Sequence, residues 1–470
     1  MTLWIEWFSQ VSALRMACSN VVTFGWMILT LMGFSTRPER VGVTSFVRVL
    51  GLKEAAYKSF LNFFHSKALN LNVLTNLWIG ICFKLFTPLS EDGCPVLAGD
   101  GIKVAKEGRK MPAVKSLHQE SNDNSKPEYI MGHSLQAICL LAKSICGTVF
   151  AVPLVSRIHE GIVVSNRDQR TIVDRMAELL KETVRVLGKP VIFVADNYYG
   201  NKKIAKALGE IQSFLVSRLR KNAVAEYPAT QDSQRKRGRK KKYGEKVRLA
   251  GFFKKKSLFI QAASPVYGES GIRLSYYCID LLWRPVGHLV RFVLVDHPNR
   301  GKIILMTTKL DLDPLRVIAV YGFRFKIEVT FKQALHTIGK YAYHFWMRDM
   351  VPIKRGSGNQ YLHRKTIEYR NAVARKIGAY HSFIQLGCIA HGLLQHLAVN
   401  FSAEVWGNFR SWLRTMKKNQ APSELVVSYA LRSSLPEFLV GIEKGHDIEK
   451  LIEKHGDSER VPGLLLTGSE

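Results

Sequence analysis

Through the first 90 positions apolar residues recur at intervals of three and four, and the interval changes to two only after Pro95. Ser45 to Leu50, Ala55 to Phe64 and Val73 to Phe86 each gather their apolar side chains on one side of a 3.6-residue turn, so residues 1–90 are expected to be helical. A small DNA-binding module and a purely structural bundle both fit that pattern.

From Pro95 the pattern is that of strands. Val96-Leu97-Ala98 leads into Gly99-Asp100-Gly101, and Tyr129 to Leu141 and Thr148 to Ile158 are β-rich, with Gly147 as the turn between them. Val173, Met176, Leu180, Val184 and Leu187 mark an amphipathic helix. Ser165 or Asn166 is available as its cap, and Gly188-Lys189-Pro190 as its stop. Val191 to Ala195 is apolar throughout, as in a strand buried on both faces at the centre of a helix-covered mixed sheet. A basic helix around Lys202 to Leu208 and a further strand signal at Ile211 to Val216 follow.

Residues 217–312 read as a strand-rich insert, with signals at Val247 to Phe253, Leu258 to Ala262, Leu274 to Trp283, Leu289 to Val295 and Ile303 to Thr307. Asp313-Pro314 supplies a cap and first turn, and helical pattern dominates afterwards. The expected organisation is therefore an α/β core from 91–216 and 313–395, interrupted by the 217–312 insert. Helical regions flank it at 1–90 and 396–470.

Charge narrows the partners. Lys and Arg number 68 against 38 Asp and Glu, a net +30, which attracts polyanions: nucleic acid first, an anionic membrane surface second. The seven cysteines contain no C-x-x-C pair, which favours reduced, small buried thiols in a cytoplasmic protein over disulfides or a zinc site. Met16 to Phe34 comes near the roughly 20 apolar residues of a membrane span. Ser19, Asn20, Thr23, Gly25, Thr30 and Gly33 interrupt it, so a buried helix is expected, with a membrane anchor as the rival. No other stretch is expected to approach a span.

Three acids carry the candidate chemistry. Asp100 and Asp196 each follow an apolar run where a strand end is expected, and strand ends of helix-covered sheets are where reactive groups meet ligand. Glu328 lies in a helix after the insert. There Val320, Phe323, Ile327, Phe331, Ala334 and Ile338 form an apolar stripe, with Tyr321, Arg324 and Glu328 at its rim. Carboxylates converging on one cleft would hold Mg²⁺ or Mn²⁺, and two such ions about 4 Å apart serve phosphoryl displacement. Each acid also has a plainer reading. Gly-Asp-Gly and Asp-Asn are common turns, and Arg324 with Glu328 is an ordinary i,i+4 ion pair.

Other charged groups are less specific. Arg235, Lys236, Arg237, Arg239, Lys240, Lys241 and Lys242 suit phosphate or minor-groove contact, or a solvated loop. Lys103, Lys106, Arg109, Lys110 and Lys115 crowd the chain after Asp100, again as phosphate-tracking groups or an exposed loop. His118, His133 and His159 lack the partners of a zinc site and are expected to be structural. No Gly-rich loop ending in Gly-Lys-Ser/Thr is present, so no nucleotide cofactor is expected.

The acids in order make a resemblance visible. Tyr321, Arg324 and Glu328 fit the Y-x2-R-x3-E part of the Tyr-Arg-Glu-Lys signature of DDE-type insertion-sequence transposases. Leu97-Ala98-Gly99-Asp100-Gly101 and Val194-Ala195-Asp196-Asn197 resemble that family's two aspartate motifs, and the likeness extends over about 95–395, including Ala342 to Trp346. One position departs: the signature lysine falls at Leu335, leaving Lys332 as the nearest stand-in for a phosphate contact.

The resemblance implies an α/β fold with an RNase H-like mixed sheet and a β-strand insertion. It implies that Asp100, Asp196 and Glu328 bind Mg²⁺ or Mn²⁺, that transposon ends are cleaved, and that the freed 3′-hydroxyl is joined to target DNA. Tyr321 and Arg324 would contact DNA near the cut. Double-stranded DNA (terminal inverted repeats and target) and a second copy of the chain are the implied partners, in a cytoplasmic, nucleoid-associated prokaryotic setting. A catalytically inactive DNA-binding derivative is the alternative.

Overall fold

The computed structural model describes residues 2–119, 127–229, 241–441, 446–457 and 459. Its first elements are five helices: α1 (Thr2–Ser12), α2 (Val21–Thr36), α3 (Thr44–Val49), α4 (Ala55–Phe64) and α5 (Leu71–Leu85). Asn20 caps α2 by accepting from the Thr23 N–H, and Asn70 caps α5 by accepting from Asn72 and Val73. The apolar 16–34 stretch resolves into a short turn at Arg15–Ala17 and α2, whose 16 residues are fewer than a span needs. Met27, Ile28, Leu29, Leu31 and Met32 are fully buried. Gly33 permits this packing, since a Cβ there would stand 2.6 Å from the Phe46 ring. The buried-helix expectation describes this segment.

The sheet begins with β1 (Thr87–Pro88), β2 (Ser90–Glu91), β3 (Cys94–Ala105), β4 (Lys115–His118), β5 (Tyr129–Lys143), β6 (Val149–Ile158) and the short β7 (Ile162–Val163). Then come α6 (Ile172–Leu187), β8 (Ile192–Ala195), α7 (Lys202–Gly209) and β9 (Phe214–Leu219). The central order is β6-β5-β3-β8-β9. Here β3, β5 and β6 are antiparallel, β8 runs parallel to β3, and β9 runs parallel to β8. The cap of α6 is Thr171, in a capping box with Asp174, rather than Ser165 or Asn166. Ser165 instead accepts from the Arg167 N–H in a turn ahead of the helix.

The strands that follow extend the same sheet from the free edge of β9. They are β10 (Val224–Pro228), β11 (Tyr243–Arg248), β12 (Ile260–Ala263), β13 (Arg273–Trp283), β14 (His288–His297) and β15 (Gly301–Thr307). The order beyond β9 is β15-β14-β13-β10-β11, antiparallel throughout. The strand signal at Val247 to Phe253 fails after Arg248. Leu249 and Phe252, three apart, are the residues buried there, and the chain makes a 3₁₀ turn.

Alternation then divides the sheet into two faces. Val96, Ala98, Ile192, Val194 and Val216 pack beneath Val317, Val320, Ile327 and Phe331 of α8 (Pro314–Phe323) and α9 (Lys326–Gln333). Leu97, Phe193 and Leu215 face the other way, toward Leu180 and Val184 of α6 and Ile204 of α7. Asp313 caps α8 as expected, accepting from Leu315 and Arg316.

The stripe from Val320 to Ile338 is not one helix. It breaks at Arg324-Phe325, where Ile327 and Glu328 N–H groups bond three residues back at 3.1 and 3.0 Å. After α9 it widens into a π turn over Ala334–Ile338, stopped by Gly339 at φ +66°. Arg37, just beyond α2, donates to the carbonyls of Ile338 and Gly339 at 2.7 and 2.9 Å, so the helical N-terminal part anchors this turn.

Beyond Gly339 the helical expectation also fails as far as Thr366. Tyr341, Tyr343, Phe345 and Met347 are buried while His344, Trp346 and Arg348 are exposed, a two-residue period in extended chain. Within it β16 (Gln360–Tyr361) pairs with β7. Helices return as α10 (Ile367–Asn400), α11 (Ser402–Asn408), α12 (Glu424–Gly441) and α13 (Asp447–His455), and α10 passes unbroken through residue 396. Contrary to expectation, α10 is long and apolar enough to cross a membrane, yet 94% of that window is buried inside the protein. All seven cysteines are free. Cys146 is exposed and Cys94 and Cys278 are only partly covered, so the expectation of seven buried thiols holds for Cys18, Cys82, Cys139 and Cys388 alone.

Candidate active site

Asp100 does not end its strand. β3 continues to Ala105, so Gly99-Asp100-Gly101 is extended chain rather than a turn. What ends is the neighbour: the parallel pairing of β3 with β8 stops at Gly99 opposite Ala195. Asp100 and Asp196 are the next residue on each chain. Side chains two apart share a face, so Asp100 continues the row of Val96 and Ala98, and Asp196 that of Ile192 and Val194. Two carboxylates thus emerge on one face, on chains about 4.8 Å apart. Gly99 makes this possible, because a Cβ there would stand 2.3 Å from the fully buried Phe193 ring. Asp196 Oδ1 accepts from the Tyr198 N–H at 3.0 Å, and its carbonyl from Ser217 Oγ at 2.7 Å, which fixes the turn after β8.

The third acid arrives from above that face. The break before α9 places Arg324 between two carboxylates: Nη1 donates to Asp100 Oδ2 at 3.1 Å and Nη2 to Glu328 Oε1 at 2.7 Å. The plain i,i+4 pair is real, and it extends to an acid 224 positions earlier. Burial and then Asp196 push the Asp100 carboxyl up to about 6, with Glu328 adding to the effect. Arg324 and the Gly101 N–H act the other way and are outweighed. Burial also works against the charge of Arg324, but Asp100, Tyr321 and Glu328 together hold its pKa above the ordinary value. Tyr321 is raised by burial and by Asp196, against the opposing Arg324 and Arg218.

Among the described residues no three His, Cys, Asp or Glu side chains stand as a ready metal cage. The donor set nevertheless suits a hard divalent cation. Its available donors are carboxylate oxygens, and burial, Asp196 and Glu328 raise the proton affinity of Asp100 even with Arg324 present. A cation here would have to replace the Arg324 guanidinium as counter-charge.

The remaining sites separate. Lys332 is exposed one turn beyond Glu328, and Leu335 is exposed in the π turn. Lys241 and Lys242 are exposed, whereas Arg235, Lys236, Arg237, Arg239 and Lys240 lie outside the described residues. Lys106 is not a phosphate-tracking group. It is buried, donates to the Tyr341 and Tyr343 carbonyls, and is brought down to about 7 by desolvation. His133 is structural, bonded to Tyr343 Oη at 2.8 Å and the Pro112 carbonyl at 2.9 Å. Sequence reading passed over an open cleft of about 770 Å³ beside Asp196, lined by Asn197, Tyr198, Arg220, Trp283 and Arg284. Its far wall comes from the added strands, whose approach to β8 no local pattern announces.

Fold and site together define a mixed α/β protein, strongly basic, with acids gathered on one face where a central strand stops. Residues 157–339 match the family model described as the transposase DDE domain, so the chain carries a DDE-type transposase domain over that stretch. The match contains Asp196, Tyr321, Arg324 and Glu328. Asp100 lies before it and joins them through strand pairing. No curated protein matches the sequence.

Proposed function

We propose that the protein is a DNA transposase that cleaves transposon ends and transfers the freed 3′-hydroxyl to target DNA, with Asp100, Asp196 and Glu328 as its metal-binding acids. The observation that carries this reading is the register of Asp100 beside Asp196, joined to Glu328 through Arg324. The central strand order, with helices on both faces, supports an RNase H-like core. The antiparallel strands beyond β9 support a β-strand insertion at 217–312.

Mg²⁺ or Mn²⁺, when bound, would activate the attacking oxygen and stabilise the leaving one. The three acids hold that charge in place. Arg324, released from them, turns its guanidinium to a phosphate beside the cut, and Tyr321 supports it there. Lys332 and the run from Arg235 to Lys242 add sequence-independent phosphate contacts. Two copies of the chain would pair two element ends.

The test is metal-dependent nicking of duplex carrying the element's end by purified protein. Asp196→Ala and Glu328→Ala should each abolish nicking while leaving duplex binding intact, and full-rate nicking by either sinks the assignment. One observation favours a second reading, an inactive DNA-binding derivative: exposed Leu335 stands where the family signature has lysine. A rise in melting temperature on adding Mn²⁺, absent in Glu328→Ala, separates the two in favour of the enzyme.

A further inference from the structure

We infer that the flank formed by residues 103–118 and 344–365 is a DNA-backbone surface separate from the acid cluster, gripping duplex several base pairs from the cut. This rests on the transposase reading for the location of the cut. The two segments hold ten Lys and Arg, of which Lys106 is buried, against two acids, Glu107 and Asp349.

The structure zips them together. Met347 N–H bonds the Lys110 carbonyl at 2.9 Å, Ile353 N–H the Arg109 carbonyl at 2.8 Å, and Ser116 N–H the Ser357 carbonyl at 2.7 Å. Arg109 Nε also donates to the Ile353 carbonyl at 3.3 Å, and Lys110 Nζ to that of Arg348 at 2.9 Å. The cations therefore sit on a fixed frame rather than on a loose loop.

The flank carries exposed cations without counter-charge, as do Lys254, Lys255 and Lys256, but here they border a groove on a hydrogen-bonded frame. Elsewhere Arg170, Lys181, Lys203 and Arg300 are paired with carboxylates. Lys103, Arg109, Arg348, Lys354 and Arg355 are all exposed, and among the described residues none makes an ion pair. Between the segments runs an open groove of about 1080 Å³, whose walls include Arg109, Ser116, Tyr129, Lys354 and Arg355. Unpaired cations at and beside a groove suit a polyanion, and phosphates displace counterions there without reading sequence.

The site's distance sets its role. β3 leads straight from Asp100 to Ala105 at the groove's lip, five residues and so about 17 Å of strand, the length of about five base pairs. Duplex lying along β3 from the acids would therefore reach this flank.

The experiment titrates binding of a labelled duplex carrying the element's end against salt. Lys354→Gln/Arg355→Gln, with no change in melting temperature, should lower the slope of log K against log salt by about two units, roughly 0.9 for each phosphate no longer neutralised. Hydroxyl-radical protection should fade about five base pairs from the cut. The charge-matched Lys417→Gln/Lys418→Gln variant should keep the wild-type slope.

An unchanged slope in the first variant, or an equal fall in the second, overturns the inference. So does abolished binding to anionic phospholipid vesicles with duplex binding kept. Binding needs no cleavage, so a wild-type protein that grips duplex through this flank but never nicks it counts against the transposase reading alone.

Discussion

Arg324 holds Asp100 at 3.1 Å from the helix layer above the same sheet face, although 224 residues of chain separate them. The same guanidinium holds Glu328 at 2.7 Å, so one cation spans two acids that the proposed chemistry needs for metal. In this state Arg324 is the counter-ion of the cluster. Divalent metal and DNA phosphate together offer a substitute for both of its ion pairs.

Removing that cation should therefore separate binding of metal from catalysis. In Arg324→Gln, Mn²⁺ without DNA should bind at least about tenfold more tightly, as two competing charged hydrogen bonds are released. Single-turnover nicking should fall by a similar or larger factor, because the phosphate beside the cut then meets no guanidinium. Calorimetry and nicking on one preparation check this; weaker Mn²⁺ binding in the variant would show that Arg324 helps to build the metal site instead.

Asp100 should make metal-free protein less stable as pH rises. Its folded-state value of about 6 lies above the ordinary 3.8, so between these the native state keeps a proton that the unfolded chain has released. The unfolded state binds fewer protons there, and stability declines through that window by up to about 3 kcal/mol. With EDTA present, Asp100→Asn should melt higher than wild type at pH 7.5, and the difference should vanish near pH 4. A difference that does not change with pH contradicts this.

Gly99 is expected to tolerate no side chain. A methyl group would meet Phe193 at 2.3 Å, and overpacking of this kind costs about 1–3 kcal/mol. Gly99→Ala should unfold at lower denaturant, and adding Phe193→Leu should restore part of the stability. Unaltered stability in the single variant would mean that the two strands are not packed this way.

Legibility in the sequence followed the range of the interactions involved. The apolar run at Val191 to Ala195 and the helical spacing of α6 were readable because each is set by its own local burial. The strand end expected at Asp100 is not there: β3 continues, the neighbouring β8 stops, and pairing length is invisible in either segment alone. The break at Arg324-Phe325 was hidden because the apolar stripe continues across it. The alternation from Tyr341 to Met347 was present in the sequence but was overridden by the helical signals around it. β10 and the cleft beside Trp283 depend on how the added strands fold back, which short-range periodicity does not encode.

The account stands on three carboxylates sharing divalent cation. Mn²⁺ bound to the protein with element-end duplex, followed by electron paramagnetic resonance, tests it most directly. Asp100→Asn, Asp196→Asn and Glu328→Gln should each remove the bound-ion signal while the duplex stays bound. Retention of wild-type stoichiometry and affinity in any one of them would contradict the shared site.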